Sequence, residues 1–233
     1  MHQTRVVILL AALGTAAATA GADQADPTDV QSKTGVQLDL NLPKGWSAEL
    51  EVQHRRVDDL STSRGSYITI EGGYRLHEHV TALAYYKRAA TNEGSGDRYA
   101  GGLNLETKLD RLRISFRPLF QYNTPLVDDE DTGGDGRSYL RTRLRAEVPL
   151  TKHLDLYAYV EPVFALGADH PVDNWRDTLG MQYQFTKWIG AEAYYTYRPD
   201  YGKSYDRTFH VFGFNLRLKA KAGGRRGGTA GRQ

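Results

Sequence analysis

Residues 138–150 read SYLRTRLRAEVPL, with Arg141, Arg143 and Arg145 at every second position and Leu140, Thr142, Leu144, Ala146 and Val148 between them. Taken alone the stretch has two readings. Leu140, Leu144 and Val148 are four apart and would stack on one helical face, whereas the arginines alternate as on a strand. The neighbouring segments decide it. GVQLDLNL sets Val36, Leu38, Leu40 and Leu42 against Gln37, Asp39 and Asn41. LRISFRPLFQY sets Leu112, Ile114, Phe116, Pro118, Phe120 and Tyr122 against Arg113, Ser115, Arg117, Leu119 and Gln121. WSAELEVQ, LDLYAYVEPVF, MQYQF, IGAEAYYTY and FGFNLRL repeat the alternation, and no long helical pattern interrupts it. The opening stretch is therefore read as a strand, and the chain as all-β.

Strand segments are expected near residues 35–42, 46–56, 66–76, 80–88, 98–107, 111–122, 138–150, 154–164, 175–185, 188–198 and 207–218. Their lengths cluster around the ~9–11 residues that a tilted strand needs to cross a bilayer. Short turns (PKG, HEH, TKLD, TKH, TK) alternate with longer polar stretches (VDDLSTSR, AATNEGSGD, TPLVDDEDTGGDGR, ALGADHPVDN, PDYGKSYD). That is the pattern of an outer-membrane barrel with short periplasmic turns and longer extracellular loops. Aromatics near segment ends (Trp46, Trp175, Trp188, Tyr85, Tyr86, Tyr194, Tyr195, Tyr197) would form interfacial girdles. A soluble sandwich would also alternate, but an open sheet cannot enter lipid with its edge groups unpaired. The expectation is an antiparallel transmembrane β-barrel of about twelve strands, with ten as the fallback, because single-chain bacterial barrels have even counts. Residues 23–34, polar and containing Pro27, are set apart as an N-terminal segment that supplies a further strand or threads the lumen.

The 233 residues fit one domain or barrel. Residues 1–22, MHQTRVVILLAALGTAAATAGA, have the order of a secretory signal peptide: Arg5, an apolar run over Val6–Leu13, then small residues at Ala18–Ala22. The apolar run is too short to span ~30 Å of hydrocarbon. The net charge is +2, but residues 219–233 carry Lys219, Lys221, Arg225, Arg226 and Arg232 with no acid, so the body is mildly acidic with a basic, Gly-rich tail. Export and this balance exclude nucleic acid as a partner. With no cysteine there is neither a disulfide framework nor a thiolate metal site.

The stretches LDRLRISFRPLFQY, SYLRTRLRAEVPL, LDLYAYVEPVF and WRDTLGMQYQFTKWIGAEAYYTYR resemble an uncharacterised family of bacterial outer-membrane β-barrels, classed only as a domain of unknown function. The resemblance covers most of residues 35–218 and is best over 110–198. Its markers are an aromatic or Leu-Arg pair opening the arginine strand, here Tyr139-Leu140-Arg141, and an acid in the next strand, here Glu161. The resemblance implies a barrel in a Gram-negative outer membrane and carries no assigned activity. Such barrels usually finish with an aromatic, whereas here a basic tail follows Leu218.

Chemistry is expected in the lumen. With the leucines on lipid, Arg141, Arg143 and Arg145 face inward beside Arg113 and Arg117, because charge on the lipid face at midplane costs about 2–4 kcal/mol each. Guanidinium forks bind carboxylate or phosphate bidentately, so this row is a candidate track for small anionic solutes in a narrow, porin-like channel. The other reading is lumen packing, in which Glu147, Asp155 and Glu161, with Glu106, neutralise the arginines. It goes with a closed structural or adhesive barrel acting through its outer loops. A barrel lipid hydrolase is a third reading, but His54, His153, His170 and His210 have no serine at an obvious partner position, so no enzyme and no catalytic residue is expected. The acidic loop Asp128–Gly136 lacks the register of a helix–loop–helix calcium motif, and His77-Glu78-His79 is read as a solvated turn, so no metal or cofactor is expected. The expected partners are membrane lipids, lipopolysaccharide and small anions.

Overall fold

The computed structural model describes residues 28–92, 94–124, 136–168, 172–201 and 207–222. The strands are β1 (Thr28–Asn41), β2 (Trp46–Val57), β3 (Thr62–His77), β4 (Val80–Thr91), β5 (Gly94–Leu109), β6 (Leu112–Asn123), β7 (Arg137–Pro149), β8 (Leu154–Ala165), β9 (Val172–Gln184), β10 (Ile189–Asp200) and β11 (Arg207–Lys221). Each pairs with its sequence neighbours, and β1 pairs with β11, so the sheet closes into a barrel. Closure leaves no edge with unpaired backbone groups.

Eleven strands stand among the described residues, close to the expected count of about twelve. In an up-and-down meander an odd count makes the first and last strands run the same way. The seam is accordingly parallel, with register from Thr28↔Thr208 to Asn41↔Lys221, so the barrel is mixed rather than purely antiparallel. β1 begins at Thr28, which turns the second half of the segment at 23–34 into strand: Gln31 is buried and Ser32, Lys33 and Thr34 pair with Arg56, Arg55 and His54. β11 runs on to Lys221, so the basic tail begins later than residue 219. Lys219 instead donates to Gln184 at 2.5 Å. The signal peptide at 1–22 and most of the acidic loop lie outside the described residues.

Two of the five long loops are also shorter than expected. VDDLSTSR contracts to Asp58–Ser61, where Asp58, Asp59 and Leu60 take positive φ of 52°, 52° and 67°. In AATNEGSGD, β4 runs to Thr91 and β5 starts at Gly94. Small polar residues look like loop from sequence, but here they pair across the ladder, as Ser95↔Ala90 and Gly96↔Ala89 do. β6 ends at Asn123 and β7 begins at Arg137, β8 ends at Ala165 and β9 begins at Val172, and β10 ends at Asp200 and β11 begins at Arg207.

The pleat sorts side chains as the alternation requires. Outward positions form an apolar belt of exposed large residues: Val52, Ile68, Ile70, Leu103, Phe116, Phe120, Leu144, Leu179, Met181, Phe212 and Phe214 among them. Inward positions hold the buried polar residues Gln53, Arg98, Gln121, Arg141, Glu161, Thr178, Arg198 and Asn215. This is a water-soluble protein turned inside out. Adjacent tyrosines must split between the two faces, so Tyr85 and Tyr194 line the interior rather than joining a girdle, while Trp46, Trp175 and Trp188 stand exposed. Two inward glycines make room for these rings. A Cβ on Gly213 would sit 1.9 Å from the Tyr194 ring, and one on Gly180 would sit 2.4 Å from that of Tyr157.

Candidate functional site: the charged lumen

The arginine strand β7 lies between β6 and β8, and register decides which charges meet. Arg113 is opposite Glu147. Arg117 is opposite Arg143, two like charges on neighbouring strands that must find anions elsewhere. Glu161 is opposite Arg176 on β9.

Two carboxylates gather the arginines. Glu161, 2% exposed, accepts from Arg141 at 2.6 Å, Arg143 at 2.7 Å and Arg176 at 3.1 Å. Arg141 also donates to the Tyr85 hydroxyl at 2.8 Å and the Gln121 carbonyl at 2.9 Å, which fixes its fork in place. Nearer the short turn, Glu147 accepts from Arg113 at 2.6 Å and Arg145 at 2.7 Å. Arg113 also reaches Glu106 at 3.4 Å, and Arg145 lies 3.9 Å over the Tyr157 ring. Arg117 crosses the interior from β6 to pair with Glu71 on β3. Asp155 faces the same interior without an ion pair among the described residues, near enough to Arg113, Arg145 and Glu147 to feel their charges.

These pairs border a cavity of about 270 Å³. Lys33, Arg55, Lys87, Arg98, Arg117, Arg141, Arg143, Arg176 and Arg198 line it, against Glu49, Glu51, Glu71, Asp173 and Asp200. Even with Glu161 beneath this surface counted, cations are in excess. Tyr85, Tyr139, Tyr159 and Tyr194 complete the wall, so a solute would meet guanidinium forks and phenol rings together. Arg143 stacks 4.5 Å over Tyr159, and Arg55 and Lys87 both stand over Tyr67, at 3.9 and 4.7 Å.

Arg113, Arg117, Arg141, Arg143, Arg145, Glu147 and Glu161 stand on the inner face as alternation predicts, and so do Glu49 and Glu51 on the polar side of WSAELEVQ. Arg176, Glu71 and Tyr85 join the site without having been singled out for it by the sequence pattern. The signal for Arg176 was present: in WRDTLGMQYQ it shares a period-two row with Thr178 and Gln182. The two markers of the arginine strand and its neighbour, Arg141 and Glu161, form the most buried ion pair in the network. One serine–histidine contact also escaped the sequence. Ser63 Oγ lies 3.2 Å from His54 Nε2, and Ser66 Oγ lies 3.5 Å from Nδ1. The pair sits in an exposed position, and among the described residues no carboxylate orients the imidazole as nucleophile activation would require. Among the described residues no group of three or more His, Cys, Asp or Glu could hold a metal ion.

No curated protein matches this chain. Among solved structures, a NanC porin in a rhombohedral crystal form is similar at 13% identity with a TM-score of 0.49, over 72% of this chain and 86% of that one. The family signature described as "Protein of unknown function (DUF2490)" matches residues 32–208, and the chain belongs to that family.

Proposed function

We propose that this chain is an outer-membrane β-barrel that passes small anionic solutes through its lumen. The membrane part rests on the outer wall. Apolar side chains exposed on strand after strand make a continuous belt, where soluble monomers rarely expose patches beyond a few hundred Å². A closed barrel is one of the two structures whose backbone is satisfied within hydrocarbon. The short connections then face the periplasm and the longer ones the exterior, with lipids and lipopolysaccharide against the belt.

The single observation that carries the anion reading is the excess of Lys and Arg around the cavity. In a narrow, partly dehydrated lumen such charges act far more strongly than in bulk water, and rings of Arg or Lys are a known basis of anion selectivity. Planar-bilayer recording of the refolded barrel under a KCl gradient tests it. A reversal potential displaced toward that of chloride is expected, and one displaced toward potassium refutes the reading.

A closed barrel acting through its outer loops is the second reading. The observation that favours it is the set of bonds crossing the interior: Arg117 to Glu71, and Arg141 to Tyr85. Eight strands are just filled by side chains and sixteen leave a channel, and eleven lies between. A conductance indistinguishable from the bare bilayer, in protein that resists alkaline extraction from the outer-membrane fraction, selects this reading.

A further inference from the structure

Both signs of charge are interspersed around the cavity, with Lys33, Arg55 and Lys87 on β1, β2 and β4 and Asp173 and Asp200 on β9 and β10, but two groups on opposite walls have spare capacity. Carboxylates of β2 and β3 (Glu49, Glu51, Glu71) line one wall, and in the closed order β8, which carries the Glu161 node, lies on the far side of the ring. Arg143 and Arg176 stand at that far wall and are bound to a single carboxylate. Resting on the reading of the lumen as a solute path, we propose that it selects zwitterions: solutes whose carboxylate docks on Arg143 and Arg176 while an ammonium group faces Glu49.

Both ends have capacity for a ligand. Arg143 gives only its Nε to Glu161, and Arg176 only one Nη. The remaining terminal donors of both have no acceptor among the described residues. The buried Nε groups of Arg117, Arg141 and Arg176 likewise lack an acceptor. Three positive forks around one negative group leave a local surplus that a solute carboxylate satisfies, as a two-guanidinium clamp does. On the other wall, Asp39, Glu49 and Glu71 are in register across three strands. Arg217 pairs with Asp39 and Arg117 with Glu71. Glu49, between them, makes no hydrogen bond or ion pair among the described residues. It is a half-buried carboxyl group facing the cavity without an ion pair among the described residues, and an ammonium group supplies one.

Arg117 bridges the two walls by pairing with Glu71. A solute carrying both charges satisfies Arg143, Arg176 and Glu49 at once. A simple anion satisfies only the two arginines, and a simple cation only Glu49.

The test uses the full-length barrel and three solutes of one chain length: 4-aminobutyrate, butyrate and butylammonium. In bilayer recording, 4-aminobutyrate is expected to block the current at a concentration at least tenfold lower than either of the others. Glu49→Gln should abolish the difference between 4-aminobutyrate and butyrate, and Arg143→Gln should weaken both. Equal block by 4-aminobutyrate and butyrate in a channel that remains anion-selective overturns the zwitterion reading and leaves the anion path standing. If the barrel carries no current, the path itself fails. Titration calorimetry of the same solutes into detergent-held barrel then decides the site, and the absence of a tenfold preference for 4-aminobutyrate overturns it.

Discussion

Glu161 and Glu147 are alike in sequence, each an inward acid on a strand adjoining or carrying the arginine row, yet they sit in different environments. Glu161 is fully enclosed and holds three guanidiniums, of which Arg141 is itself 9% exposed at the side chain. Glu147 is 12% exposed and is shared by Arg145 and by Arg113, whose side chain is 50% exposed. Depth changes what the same chemistry is worth. In the enclosed node Glu161 and Arg141 have lost their water and depend on each other, while Arg143 and Arg176 keep one side open to the cavity. At the open node, solvent replaces any partner that is removed.

The largest expected effect is at the enclosed node. Glu161→Gln leaves the buried Arg141 and the partly exposed Arg143 and Arg176 with one neutral acceptor, and breaking a buried pair costs about 3–5 kcal/mol. The heat-induced unfolding transition on a gel should fall well below that of the parent barrel. An unchanged transition would mean that Glu161 is no more enclosed than Glu147.

Next in size is an attack on the support of the open node. Tyr157, which lies under Arg145, occupies space that Gly180 leaves clear. Gly180→Ala forces that ring aside, and overpacking of this kind costs roughly 1–3 kcal/mol. Thermal unfolding should show the loss, and the Arg145 fork should lose its stacking partner. Wild-type stability in this variant would show that the node does not need the ring.

Glu147→Gln should cost about 1 kcal/mol or less, since half-exposed pairs are screened. A loss as large as that of Glu161→Gln would erase the distinction of depth.

The smallest effect separates the nodes by salt. In 1 M salt the Debye length shrinks to about 3 Å. The stability difference between parent and Glu147→Gln should then vanish, while that of Glu161→Gln persists. Paired melts at low and high salt measure it, and equal salt sensitivity would break the comparison.

Much of this was legible in the chain. Tyr139-Leu140-Arg141 and Glu161 could be assigned to the inner or outer face from alternation alone, because a strand turns successive side chains to opposite sides wherever it stands. The limits of the strands were less legible. Ser95 and Gly96 have loop composition, and only pairing with Ala90 and Ala89 makes them strand. Residues 28–34 gave no apolar rhythm, since a strand flanked on both sides needs backbone partners more than it needs a hydrophobic face.

The sequence by itself determined the class of fold, the inward direction of the arginines and the outward direction of the leucines and phenylalanines. Those properties are local: they follow from the pleat and from the cost of placing each side chain on the wrong face. The tertiary structure alone decided that the described strands close through a parallel seam, that Arg176 joins Arg141 and Arg143 on Glu161, and that Asp155 and Glu49 make no ion pair among the described residues. Such contacts depend on stagger and closure, which bring together strands far apart in sequence, as Arg117 on β6 and Glu71 on β3 show. No single strand carries the information that sets the stagger between distant strands, so no local pattern could have announced it.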